Sequence, residues 1–152
     1  MPSDLWNYAL QLYARPGVEQ DCLQLHDDSA DVCLLLCACW LQHHEQRYSA
    51  ARCAQLQRLA EPWQQQVITP FRRLRQNWPA DTQQQPERAA WREQLKDLEQ
   101  QGEQQLLLQL QACILAWPVL SHAEHGDWLT SLSGKAAAHD ALQRLRVTAK
   151  LS

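Results

Sequence analysis

DVCLLLCACWLQHH, residues 31–44, holds the longest apolar run in the chain, ten residues from Val32 to Leu41. A helix that is apolar around its whole circumference is either buried among other elements or embedded in lipid. Ten helical residues span about 15 Å, half the apolar thickness of a bilayer, which excludes a membrane crossing. The run therefore predicts a central helix with the remaining helices laid around it. Elsewhere the apolar positions are interrupted by Gln, Arg or Glu at helical spacing, and the 152 residues include only 4 Gly and 7 Pro. Leu, Ala, Gln, Glu and Arg are strong helix formers, and a chain of this length fits one domain. The reading is an all-α, single-domain bundle of about six to seven helices around the buried helix 31–44.

Working outward, Ser3 is positioned to cap a first helix that carries Leu5, Trp6, Ala9, Leu12 and Tyr13 on one face. Pro16-Gly17 ends it, a short second helix runs from Val18 to His26, and Asp27, Asp28 and Ser29 form the turn into the central helix. Ser49 is a second N-cap, for a helix Ala50 to Ala60. Glu61-Pro62-Trp63 predicts a restart, since Pro is tolerated in a first turn, and Pro70 predicts a kink before Trp78. Residues 79–85 read as a flexible loop. Pro86 opens the longest helical pattern, 86–117, with a seam of Trp91, Leu95, Leu98, Gly102, Leu106, Leu110, Cys113 and Trp117. Glycine in that seam predicts a close crossing or a bend. A loop over 118–134 and a C-terminal helix over 135–149 complete the layout.

LWNYALQLYARPGVEQDCLQL, the acidic turn and DVCLLLCACWL together resemble a proteobacterial family of uncharacterised small helical proteins, a domain of unknown function. The matching residues are Trp6, Tyr13 to Val18, Cys22 to Leu25, Asp31 to Leu36 and Trp40, and RLAEPWQQQVITPFRRLR at 58–75 resembles a second recurring block. The likeness covers residues 1–78. It implies a helical fold and carries no activity with it.

The formal net charge of −3 is too small to imply a polyanionic partner, but its distribution is ordered. The blocks 1–46, 47–78, 79–128 and 129–152 carry −6, +5, −5 and +3. Alternating blocks let neighbouring helices attract one another. MPSDLWNYAL has neither a basic n-region nor an apolar h-region, so six cysteines point to a reducing cytoplasm rather than a disulfide framework. The 22 glutamines are dispersed along amphipathic helices and read as neutral surface.

Three constellations invite chemistry. Cys33, Cys37 and Cys39 with His43 and His44 offer thiolate and imidazole on one helix, but without a C-x-x-C pair; packing is the favoured reading and no metal or cofactor is assigned. His26, Asp27, Asp28 and Asp31 put an imidazole beside carboxylates, for which helix capping is the simpler account. His122, Glu124 and His125 have no third anchor and read as solvated loop. No phosphate-binding Gly loop, G-x-S-x-G, H-E-x-x-H or Glu-x-x-His pattern occurs, and no catalytic residue is assigned.

What remains is binding. Arg72, Arg73 and Arg75 with Trp78 and Trp91 predict an interface for a protein partner, as an adaptor or regulator, and the 86–117 helix a surface for self-association. The same arginines, with Arg58 and Arg52 on the preceding helix, make the densest basic cluster and the candidate for weak nucleic-acid contact, which the acidic balance disfavours. The rival is a small enzyme or ligand-binding bundle with a pocket beside the central helix, lined by Tyr8, Tyr13, His26 and Asp31. Trp78 and Trp128 lie near loops and are expected to be partly exposed. Trp63 and Trp91 are expected to anchor helix contacts.

Overall fold

The computed structural model describes residues 4–27, 31–78, 86–133 and 139–150. Every described element is helical: α1 (Leu5–Tyr13), α2 (Val18–Asp27), α3 (Val32–His43), α4 (Ala50–Trp63), a π-helical turn (Gln64–Ile68), α5 (Thr69–Asn77), α6 (Pro86–Leu115), α7 (Trp128–Leu132) and α8 (His139–Lys150). The expected flexible loop 79–85 lies outside the described residues.

α3 is the centre. Each residue from Cys33 to Leu41 is buried, and α1, α2, α4, α6, α7 and α8 all pack on the helix. Its leucines alone (34, 35, 36 and 41) are worth roughly 1.5–3 kcal/mol each when buried, together comparable with the net stability of a whole domain. Asp31 caps it, accepting from Leu34 N–H at 3.2 Å. At the other end Gln46 N–H reaches back to Leu41 O at 2.9 Å, with Glu45 in the left-handed region at φ 53°, a closure that glycine usually supplies.

The helix starts follow side-chain caps. Ser49 caps α4, as its position implies, whereas Asp4, not Ser3, caps α1, accepting from Asn7 N–H at 2.8 Å. Asp127 caps α7 through Thr130 N–H at 2.9 Å, which places a helix inside the 118–134 segment expected to be loop. α7 buries Trp128 against Trp117 (ring centroids 5.9 Å) and sends its indole N–H to Gln46 O at 2.9 Å. Trp128 is thus core, not a partly exposed anchor.

Residues 50–77 also depart from expectation. The chain does not restart at Glu61-Pro62-Trp63, because Pro62 lies within α4 and the helical run continues through the π turn into α5. Pro70 cannot donate to the α ladder and its ring crowds the carbonyl four residues back. Widening the preceding turn to an i→i+5 bond, Thr69 N–H to Gln64 O, carries the helix past it. α6 crosses at that wide turn. Trp63 donates its indole N–H to Gly102 O at 2.8 Å, and a β-carbon at residue 102 would lie 3.2 Å from Ile68 Cγ1 and 3.4 Å from Val67 Cγ1.

The seam of α6 is covered along only part of its length. Buried side chains begin at Glu99, and residues 86–98 contribute none. Trp91 stands 53% exposed and Leu98 41%, so Trp91 does not anchor a helix contact within the bundle, although its ring lies 6.2 Å from that of Trp78.

The crossing at Gly102 makes a direct prediction. Gly102→Leu forces a branched side chain between α6 and the π turn and should cost about 1–3 kcal/mol, the usual range for overpacking. Urea unfolding should show a lower midpoint at unchanged slope. An unaltered midpoint would contradict the close crossing.

Candidate functional site

The N-terminal end of α3 is half-buried on the wall of a hollow, where side chains meet its polar cap. Asp31 is therefore met by Gln64 of the π turn, whose amide donates to Oδ1 at 2.9 Å. Burial nonetheless pushes the Asp31 carboxyl above the usual carboxylate range, against hydrogen bonds from Leu34, Cys33 and Gln64. α6 brings two further carboxylates alongside, one helical turn apart. Glu99 is buried and doubly paired: Arg72 Nε donates to it at 3.0 Å and Arg75 Nε at 2.8 Å. Glu103 has neither a hydrogen bond nor an ion pair among the described residues. Burial first, then the Glu99 charge, raises its carboxyl from 4.5 to about 7, with Arg72 opposing.

These groups stand where two hollows meet. One, of about 490 Å3, lies between α1, α3, α5 and α6, with Trp6, Leu10, Leu36 and Leu107 as apolar wall and Arg72, Arg75, Glu99 and Glu103 as polar wall. The other, of about 640 Å3, runs past Asp31 and Gln64 toward Ser133. Val32, Cys33, Arg72 and Glu103 border both. Tyr13 lines the first, and its hydroxyl is raised to about 12, chiefly by burial with the nearby Cys22, Glu19 and Glu103 adding to it.

Of the four residues expected to line a pocket, Tyr13 and Asp31 border these hollows. Tyr8 instead packs at the far end of α3, its ring 5.4 Å from that of His43, and the side chain of His26 lies outside the described residues. The basic interface is redistributed: Arg72 and Arg75 turn inward to Glu99, leaving Arg73 as the exposed member of the set. Arg52 is occupied as well, lying over Trp117 (4.9 Å) and donating to Pro118 O at 2.6 Å.

The sulfur and imidazole groups do not assemble. All six cysteines are free, and Cys33, Cys37 and Cys39 are buried with thiols pushed upward by desolvation. His44 is shifted down, first by burial and then by His43, whose ring is 4.9 Å away. Among the described residues no three His, Cys, Asp or Glu side chains converge as a metal site. His122, Glu124 and His125 are exposed. Within the acidic turn, Asp27 is the last residue of α2 and Asp31 acts as the cap of α3.

A family model described as "Protein of unknown function (DUF2390)" matches residues 4–110. The chain belongs to the DUF2390 family. The match extends beyond the residues 1–78 over which the motifs are recognisable, and includes every residue lining the 490 Å3 hollow, from Trp6 to Leu107. Helices α7 and α8 lie outside the DUF2390 match. No curated protein and no solved structure matches the chain.

Sequence reasoning overlooked Glu99, Glu103 and Gln64. The signal for the first two was their i, i+4 spacing beside the seam glycine of α6, on a face too apolar for solvent. Nothing local in the Gln64 to Gln66 run marks Gln64 as the partner of Asp31.

The raised Glu103 pKa has a defined sign. The native carboxyl holds its proton up to about pH 7 and the unfolded one releases it near 4.5, so ionisation favours unfolding as pH rises between them. Glu103→Gln should therefore stabilise the protein at pH 8, on the order of 1–3 kcal/mol, and leave it unchanged at pH 4. Thermal melts of both proteins across that range provide the check.

Proposed function

We propose that this DUF2390 protein is a non-catalytic binding protein that receives a small organic molecule in the groove between α1 and the α5–α6 pair. The observation that carries the reading is the 490 Å3 hollow itself, where one apolar wall faces a few converging polar groups, one of them a titration-shifted carboxylate. That combination of size, apolar lining and sparse polar anchors is what small-molecule sites share. Six unpaired cysteines support a reducing, cytoplasmic setting. Catalysis finds less support, because Asp31 serves as a helix cap and Glu99 is neutralised by two guanidiniums, which leaves Glu103 without a partner nucleophile or base.

A thermal-shift screen of small amphipathic compounds tests this. Gln100 lies on the groove wall and is exposed, so Gln100→Trp fills the space without entering the core. Compounds that raise the melting temperature of the parent protein should lose most of that effect in the variant. Equal shifts in both, or none in either, would refute the groove as the binding place.

A second reading, action through protein contact as an adaptor or regulator, rests on the outer half of α6. Trp91 and Leu98 there, and Leu74 on α5 at 48% exposure, present apolar surface that the bundle does not cover. A second copy of the chain, meeting it along α6, is the occupant we assign. Sedimentation should then report a dimer, and Trp91→Glu a monomer of unchanged helicity. A parent protein that is monomeric at high concentration would remove this reading.

A further inference from the structure

The polar wall of the 490 Å3 groove is unevenly satisfied. Arg72 gives one N–H and Arg75 two to Glu99, so part of their charge is already balanced by that carboxylate. Glu103, one turn further along α6, borders the same space with no hydrogen bond or ion pair among the described residues, and it is largely withdrawn from water. A carboxylate so placed costs free energy until a donor or a positive charge reaches it. Arg72 and Arg75 act on it from α5 but do not offset its burial and the charges of Glu99 and Asp31. Glu19, at the α2 edge of the groove, adds negative charge, while Lys96 on α6 is exposed at the rim. The apolar wall includes two aromatic residues, Trp6 and Tyr13, whose ring faces favour cations.

We infer that the groove is a site for an organic amine, whose ammonium donates to Glu103 while its apolar body lies against Trp6, Leu10, Leu36 and Leu107. The inference rests on the groove reading above and adds the charge of the ligand to it. The site chemistry is that of a buried charge-assisted hydrogen bond: the ammonium supplies the donors that Glu103 lacks, and the carboxylate replaces the water the amine gives up. A matched alcohol keeps the apolar contacts and one weaker hydrogen bond. A matched carboxylate sets like charge against Glu103.

Titration calorimetry with tryptamine, tryptophol and indole-3-propionate separates these cases, because the three share one ring and differ in head group. Tryptamine should bind at least tenfold more tightly than tryptophol at pH 8, with indole-3-propionate weakest. In Glu103→Gln the amine preference should disappear, with tryptophol binding unchanged and the fold intact by circular dichroism. Binding at pH 6 should release a proton in the parent protein and none in the variant, because the ammonium favours the ionised carboxylate. The groups that face Glu103 and share in that response are Tyr13 from α1, Asp31 and Cys33 from α3, Arg72 and Arg75 from α5, and Glu99 from its own helix. Equal affinity for amine and alcohol, tighter binding of the propionate, or an amine preference that survives Glu103→Gln would each overturn the inference while leaving the groove as a binding place. Failure of all three to bind would overturn the inference and count against the groove reading as well.

Discussion

A helix that is apolar on every side has to be covered on every side, and α3 imposes that condition on the rest of the chain. Helices arrive from before and after it in sequence to meet the requirement: α1, α2, α4, α6, α7 and α8 all pack on it. Complete cover has a consequence at the helix ends. The first turn of α3 is half-buried, and Asp31 takes up its free Leu34 N–H group. A buried cap carboxylate needs partners of its own, and the π turn supplies Gln64. The polar junction of the molecule thus follows from an apolar constraint.

Charge follows the same logic at longer range. Among the described residues the ion pairs Arg72–Glu99, Arg75–Glu99, Arg144–Asp21 and Arg146–Asp127 each join a positive block of the sequence to a negative one. The pairs differ in worth. Arg144 is over half exposed, so its contact with Asp21 is screened and adds little, whereas Glu99 with Arg72 and Arg75 is largely withdrawn from solvent. Removing either side of that trio would strand buried charge. The pairing of α5 with α6 is specified there.

Much of this architecture is legible in one dimension because it is periodic or local. The buried run, the caps at Asp31 and Ser49, the core position of Trp40 and the close crossing at Gly102 are each decided by residues within a few positions of one another. The block charges disclosed that helices would pair by sign, but sign alone does not say that Arg72 and Arg75 would share Glu99. Trp91 was misread for a different reason. Its seam position is correct for the helix, but α6 is 30 residues, about 45 Å, and outruns the helices that could cover it. Trp128 looked like a loop residue because five-residue α7 is too short to show a period, although Asp127 and Thr130 carry its capping signal. The groove unites Trp6, Tyr13 and Glu103, separated by some ninety residues, and no local pattern contains it.

The division of arginines at that groove is the least expected feature for a purely structural network. Arg72 and Arg75 lie one turn apart on α5, and Glu99 and Glu103 one turn apart on α6. Pairing each arginine with its own glutamate would neutralise both carboxylates and serve helix packing equally well. Both guanidiniums instead take Glu99, the more deeply buried of the two, and Glu103 borders an open hollow with no hydrogen-bond partner among the described residues. Packing accounts for Glu99, since a carboxylate only 8% exposed needs such partners. It does not account for Glu103, where burial works against the charge more than Arg72 and Arg75 favour it.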